Sequence, residues 1–496
     1  MLTLNPTTTG TVLVLLSVGT LMLRPAYFYW LAIFFVPFSA TAIINIGGFG
    51  NGATASAISA PLYFALLAIL FGKPYTFFRD WKMSRYIVLV AAFLLIVLLS
   101  WMMPYLLDGN RVMVCSANLQ KTDCLPLRFS WRNVTQSMYL VIWLLFSIVV
   151  MRVASQERGV ERTMKAIAWS TAFVSLWGMM QWTIYRYGYT YPSELFNNSA
   201  SPYARGYLGD FSALNIKRVS SVAVEPSILA QHLLSVIPLL AVQLAHAKPG
   251  WSRAGYAIVL LLGCLILLST ATTTAIVGLI VLSCLFLAAG VLRVLSTPVI
   301  KLQLGAIFLA TVMYASVNPN AHLLLENLVT NKIETLLMAK TEAPQKSQQL
   351  KMLTSGQLKS YSTVERFAAL DMALGYFKQS PFLGVGWRAV TSPDTVVTLL
   401  ANVGLIGLLG FTLLLGHVLF NLAKTINAYR KRFAEDAAAT DWLSSLMIAL
   451  LVSLVINQVG GFGFVFGYLW VLLGLAAAAP KLLERSLAPT EIAIVR

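Results

Sequence analysis

KRVSSVAVEPSILAQHLLSVIPLL, residues 217–240, changes character partway along. Lys217, Arg218 and Glu225 stand close together, and no further Lys, Arg, Asp or Glu follows until Lys248. Pro226 marks the switch, because its missing N–H costs nothing in the first turn of a helix. The uncharged run 226–245 matches the roughly 17–25 residues that a helix needs to cross a hydrocarbon layer. The stretch therefore reads as a charged loop feeding a membrane span from its N-terminal end.

The same alternation recurs along the whole chain. Of 496 residues, 58% are apolar and only 11% charged, with a mean hydropathy of +0.75, whereas a soluble domain is about half apolar and about a quarter charged. Apolar runs lie at 10–23, 27–46, 57–72, 86–107, 137–151, 166–185, 226–245, 255–270, 272–291, 299–317, 395–420, 441–458 and 463–479. Lipid offers backbone groups no hydrogen-bond partner, so runs of this length read as helices, and a barrel would need alternating short strands. The expected fold class is all-α: a polytopic membrane bundle of 12 or 13 transmembrane helices. The first run has no Lys or Arg before it and no small-residue cleavage site, so it reads as a weak span and not as a signal peptide.

Basic residues orient the bundle. Arg24, the short connections 73–85, 152–165, 248–253, 293–301 and 424–432, and the tail from Lys481 hold 20 of the 36 Lys and Arg residues and are assigned to the cytoplasm. The remaining 16 are spread over 108–136, 186–225 and 318–394, which helix alternation puts outside with 11 acidic residues. The net charge of +17 thus reflects mostly the inside bias and no nucleic-acid surface. Three regions follow: an N-terminal bundle 1–317 with outer loops at 108–136 and 186–225, a large outer loop 318–394, and C-terminal helices with a tail at 395–496.

The outer loops carry their own signals. Cys115 and Cys124 face an oxidising compartment and are expected to pair, while Cys264 and Cys284 fall inside spans and are expected to pack. The loop 318–394 exceeds ordinary connection lengths and should be structured or functional. In it, Ser362-Thr-Val-Glu365 has the spacing of a capping box. Phe367, Leu370, Leu374 and Phe377 recur at helical spacing until Ser380-Pro381. An amphipathic helix is expected there, and another in the segment before Thr354.

No phosphate-binding GxxxxGK[ST], zinc HExxH or nucleophilic GxSxG is present. His232, His246, His322 and His417 are scattered, so no metal site and no cofactor is expected. Chemistry must run on arginine, carboxylate and helix ends. Two helices, at 226 and at Ser392-Pro-Asp-Thr395, enter from the outer side and point their positive ends outward. Ser392 or Asp394 would cap the second. Lys217, Arg218, Arg366 and Arg388 are the candidate phosphate-binding residues, arginine being favoured for its planar fork. The turn Gly384-Val-Gly386-Trp precedes Arg388 and allows close backbone approach. Glu225 is a candidate general base, and equally a partner for Arg218 or an electrostatic stabiliser of the helix start. His232, two turns deeper, reads as a hydrogen-bonded interhelical residue. The hydroxyls of STATTT (269–274) cap a hairpin or line a sugar pocket. The tyrosines of YRYGYTY (185–191) form an interfacial belt or stack on sugars.

The pieces RVSSVAVEPS from Arg218, YSTVERFAALDMALGYFKQSPFLGVGW from Tyr361 and LLANVGLIGLLGF from Leu399 resemble, in that order, the O-antigen polymerase and ligase superfamily of bacterial envelope glycan assembly. FFVPFSATAIINIG, from Phe34, is also similar to polymerases of this group. The resemblance implies a metal-independent, inverting glycosyltransferase of the inner membrane. Its donor and acceptor are glycans on undecaprenyl diphosphate, met at the periplasmic face, with a chain-length regulator as a possible partner. It maps diphosphate binding onto Arg218 and Arg366, with Arg388 assisting; Arg218 and Arg366, with Glu225 as base, would then form the catalytic set.

Two departures separate the branches. Ligases resemble one another in a histidine late in the large loop, where this chain reads VTSPDTV and has no histidine between His322 and His417. The basic residue that relatives often carry in the turn corresponding to STATTT is also missing. The reading expected is therefore a Wzy-type polymerase, with the O-antigen ligase as alternative. A transporter or flippase of a lipid-linked anion is the rival from another class. Against it, the sequence shows no inverted repeat and no paired broken helices.

Overall fold

The computed structural model describes residues 3–47, 56–72, 84–107, 112–115, 124–200, 217–330, 334, 361–432, 437–460 and 464–487. In chain order the elements are β1 (Thr3–Pro6), α1 (Thr8–Leu23), α2 (Tyr27–Phe35), β2 (Ala42–Gly47), β3 (Ser56–Ser59), α3 (Ala60–Phe71) and α4 (Arg85–Leu99). They continue as β4 (Met113–Cys115), β5 (Cys124–Pro126), α5 (Trp131–Ala154), α6 (Gly159–Arg186), α7 (Pro226–His246), α8 (Trp251–Ser269) and α9 (Thr273–Val291). The last are α10 (Thr297–Val317), α11 (Tyr361–Gln379), α12 (Thr395–Arg432), α13 (Ala437–Gly460) and α14 (Gly467–Leu487). Among the described residues nine helices are long and apolar enough to cross a membrane, and α1 and α3 are shorter apolar helices. Every apolar run read from the sequence overlaps one of the helices α1–α14. The molecule is a multi-pass, mostly helical bundle.

Two small antiparallel sheets interrupt the all-α pattern: β1, β2 and β3 in that order, and the β4–β5 ribbon. The run 27–46, expected as one span, is not one helix. α2 has only nine residues, and Val36-Pro37-Phe38 turns the chain into β2. Pro37 has no N–H to continue a helical ladder. Irregular backbone is tolerated in a bilayer only where it is buried in protein, and Phe38, Ala40 and Thr41 are fully buried.

α7 is the axis of the bundle. Of its most apolar window 89% is buried, against 22% for α10, which therefore presents most of its surface to the surroundings. α7 packs against α6, α8, α9, α10, α13 and α14. Among the nine candidate spans described, α7 is thus the most enclosed, a position that apolarity alone does not announce.

Hydrogen bonds sort the connections onto two ends. At one end Tyr376 of α11 donates to the carbonyl of Met113 and accepts from the N–H of Cys115 (2.9 and 3.0 Å), Arg186 donates to the carbonyl of Val317, and Ala40 N–H donates to Val222 (3.1 Å). At the other, buried Asp441 accepts from Ser296 N–H (2.8 Å) and Ser296 Oγ (2.6 Å) and meets His246 at 2.8 Å. All three connections assigned outward from their basic residues contribute to the first end. Cys115 and Cys124 are joined as a disulfide. Cys264 is buried and Cys284 exposed on the flank of α9.

The large loop departs from expectation in detail. α11 is already helical at Tyr361, so Ser362 lies inside it and is not its N-cap. Its buried face is Val364, Ala369, Ala373 and Tyr376, while Phe367, Leu370, Leu374 and Phe377 are half-buried. The helix expected before Thr354 is described only at its start, Ala321–Leu325 followed by a π turn Glu326–Thr330, and at residue 334. The rest of that expectation lies outside the described residues.

Candidate functional site

The loop 217–225 is held from three sides. Gln181, a buried amide on α6, accepts the N–H groups of Ser220 (3.0 Å) and Ser221 (2.7 Å) through one oxygen. Ser221 has a left-handed backbone (φ 51°), and its hydroxyl donates to the carbonyl of Val174 (2.7 Å). Val219 N–H donates to Ser269 (3.0 Å), and Arg218 Nε to the carbonyl of Thr270 (3.3 Å), so the loop leans on the α8–α9 turn. Val224 N–H donates to Ser39 Oγ (3.1 Å), on the segment that interrupts α2.

This mooring places three candidates at the entry of α7. Lys217 is exposed, its ammonium 6.0 Å from the Tyr185 ring. Arg218 is half-buried. Glu225 is the N-cap residue of α7 but makes no side-chain cap; its carboxylate accepts from Ser227 Oγ (3.0 Å).

The second moored loop is 380–394. α12 is not continuous: Gly404 takes φ 65°, ψ −165°, a conformation that favours glycine, and breaks it into two helical segments. The groups freed by the break are paired with the loop. Leu405 and Ile406 N–H donate to the carbonyls of Pro381 (2.8 Å) and Phe382 (3.1 Å), and Val385 and Gly386 N–H donate to Ala401 (2.8 Å) and Asn402 (3.1 Å). A Cβ on Gly404 would overlap the Phe382 carbonyl, and one on Gly384 (φ 66°) the backbone of Asn402. Asn402, fully buried, accepts from Val390 N–H and donates to its carbonyl, both at 3.0 Å. Asp394, not Ser392, caps α12, accepting from Val397 N–H at 2.8 Å.

Arg388 sits in the middle of this clamp. Its neighbour Trp387 is fixed by N–H donation to Ser100 Oγ (3.0 Å) and by accepting from Asn133 Nδ2 (2.6 Å). Arg388 itself is left-handed (φ 58°) and 6% exposed, and its Nε has no hydrogen-bond partner. A non-glycine residue in that region costs about 1–3 kcal/mol and persists only where its surroundings over-determine it. Burial, with repulsion from Arg132 added, pulls Arg388 down to about 9. Arginine keeps its proton in proteins, so Arg388 is a buried cation with a like charge beside it.

The two loops attach to different walls and are linked through the core. The Tyr468 hydroxyl bridges Gln231, on the second turn of α7, and Asn457 (2.9 Å). The backbone carbonyl of Asn457 in turn accepts from Thr395 Oγ1 (3.0 Å) in the first turn of α12. The first two turns of α7 and of α12, the two positive helix ends read from the sequence, are thereby linked through Tyr468 and Asn457, the latter using its side chain toward one and its backbone carbonyl toward the other. Lys217, Arg218 and Glu225 come together at the first entry and Arg388 stands before the second. Arg366 is half-buried on the second turn of α11, and the like charge acting on Arg388 is Arg132.

Other candidates resolve differently. His232 is not a hydrogen-bonded interhelical residue: it is buried, neither ring nitrogen has a partner, and it lines a cavity of about 20 Å³ with Ser170, Ser235 and Tyr468. In STATTT, Thr272 caps α9 by accepting from Ala275 N–H (3.1 Å). In YRYGYTY, the Tyr191 hydroxyl accepts from Trp177 and donates to Asn197 (2.8 Å), while Tyr187 and Tyr189 are exposed. Gln181, Asn402 and Asn133 escaped the sequence reading. Their signal was present, since an amide inside or at the edge of an apolar run is retained where it finds partners.

Residues 257–412 match a family model, Wzy_C, described as O-Antigen ligase. The match runs from α8 through α11 to the break in α12, so it includes Arg366, Arg388, Asn402 and Gly404 and leaves Arg218 outside. The chain is a multi-pass membrane protein that over residues 257–412 is similar to Wzy_C, a family whose members transfer glycans between lipid-linked substrates as ligases or polymerases. No curated protein matches it.

Proposed function

We propose that the protein is a Wzy-type polymerase. It transfers a growing glycan from one undecaprenyl diphosphate onto the terminal sugar of a second lipid-linked repeat unit, at the periplasmic face of the inner membrane. The observation that carries the reading is the pair of helix entries, α7 and α12, linked through Tyr468 and each preceded by a moored arginine loop. A diphosphate is already an activated leaving group. What the transfer requires is charge neutralisation on that group and an acceptor hydroxyl held in line. Arg218 and Arg366 would bind the diphosphate, Lys217 and Arg388 would assist, and Glu225 would take the acceptor proton.

One observation favours the ligase reading, the description of the matching family. The absence of any histidine between His322 and His417 favours the polymerase. A strain lacking the protein separates them. Single repeat units indicate lost polymerisation, long chains retained on the carrier indicate lost ligation, and cytoplasmic accumulation indicates lost transport. Arg218→Ala or Arg366→Ala should reproduce the polymerisation defect with the protein still in the membrane, and Lys at either position should rescue in part because it lacks the fork. Unchanged polymer length in both Ala variants refutes the assignment.

A further inference from the structure

We propose that Arg132, at the N-terminal end of α5, is a further anion-binding residue that joins Arg388 in holding a phosphoryl group of the substrate. This rests on the reading of the site as one for a lipid-linked diphosphate, and adds a residue that neither the sequence signals nor the family match singles out.

The placement comes from the backbone. The 2.6 Å hydrogen bond from Asn133 to the Trp387 carbonyl brings the residues next to them, Arg132 and Arg388, onto one locus. Asn133 is itself locked by the capping box with Ser130, and Trp387 by Ser100. The backbones that carry the two arginines are therefore fixed relative to one another by these pins. α5 is 24 residues long and has no acidic residue in its first turn, so its positive end is left uncompensated from within the helix.

Arg388 supplies the second, independent observation: a buried guanidinium whose Nε has no hydrogen-bond partner. Arg132 acts on this buried guanidinium as a like charge, and an anion lying between the two groups would offset that repulsion. The other end of the bundle shows how this chain treats a buried charge with a purely structural task. Asp441 there meets Ser296 twice and His246 once. A tetrahedral phosphoryl group could offer an acceptor to Arg388 Nε and further oxygens to the second planar fork, more than a single carboxylate would. Arg132 is exposed and Arg388 buried, so the pair runs from the surface inward, as a headgroup-binding cradle requires.

The test uses the full chain in lipid nanodiscs with inorganic pyrophosphate and undecaprenyl diphosphate as probes. Arg132→Gln and Arg388→Gln should each weaken binding of both probes about tenfold or more. The double variant should lose less than the product of the two, because both act on one ligand. In the unaltered protein, saturating pyrophosphate should protect Arg132 from an arginine-selective reagent, read on its peptide by mass spectrometry; this arm does not depend on any variant folding. Unprotected Arg132, or wild-type affinity in Arg132→Gln alongside weakened binding in Arg218→Ala, overturns the inference and leaves the polymerase reading standing. Loss in the Arg132 and Arg388 variants with no effect of Arg218→Ala supports the cradle and removes Arg218 from the diphosphate site. Wild-type binding in all three overturns both.

Discussion

Gly404→Ala is the sharpest single perturbation of the second loop. Alanine would have to adopt φ 65°, ψ −165°, a region nearly confined to glycine and worth about 1–3 kcal/mol of strain. Its Cβ would also overlap the Phe382 carbonyl. Backbone cannot rotate away as a flexible side chain can, so the 381–386 segment must lift from α12. The first hydrogen bonds to go are Leu405 to Pro381 and Ile406 to Phe382. At about 0.5–1.5 kcal/mol net each, they add about 1–3 kcal/mol. The expected loss is about 2–6 kcal/mol, and Arg388, a few residues along the same segment, should leave its position. Gly416→Ala is the matched control. It lies in the same helix with nothing within 4 Å of an added Cβ, and removing a helical glycine should be neutral or stabilise by up to about 1 kcal/mol. Thermal unfolding in detergent, read by tryptophan fluorescence, and pyrophosphate binding are measured on both. Equal melting temperatures and equal affinities for the two variants would refute the account of the break as a clamp for the loop.

Gln181→Ala leaves two buried backbone N–H groups, at Ser220 and Ser221, without their acceptor. At about 1–3 kcal/mol each it should lower the melting temperature and release the Arg218 loop, seen as faster proteolysis or hydrogen exchange over 217–225. Asp441→Ala strips Ser296 and His246 of a shared buried partner at the opposite end, so it should cost about 2–4 kcal/mol while pyrophosphate affinity stays at the wild-type value. Tyr468→Phe removes the hydroxyl that links Gln231 to Asn457. It should reduce polymer formation more than stability, since it uncouples the α7 and α12 entries; an unchanged product with a lowered melting temperature would make the bridge merely structural.

The four pieces of sequence that resemble a family turn out to be two contacting pairs. FFVPFSATAIINIG meets the Arg218 loop through Ala40 and Ser39. The stretch ending in GVGW meets LLANVGLIGLLGF through the Gly384 and Gly404 backbones. Each piece is half of a backbone-to-backbone contact, the other half lying far along the chain for the first pair and just ahead in the sequence for the second.

Membrane spans, the two-sided sorting of loops, the Cys115–Cys124 pair and the start of α12 near Asp394 were legible from composition alone. These depend on local quantities: apolar length, charge placement and capping chemistry. Three features were not. The break at Gly404 reads as one uninterrupted apolar run, because its freed N–H and C=O groups find partners in residues 381–386 and not in their own segment. α2 ends after nine residues for the same reason, its continuation being stabilised by Val222 and Val224. The company of Arg388 is set by the Asn133–Trp387 hydrogen bond across 254 positions of sequence. Hydropathy registers how much backbone a bilayer will accept, whereas the partner of each backbone group that leaves a helix is chosen by packing, and only the folded chain contains that choice.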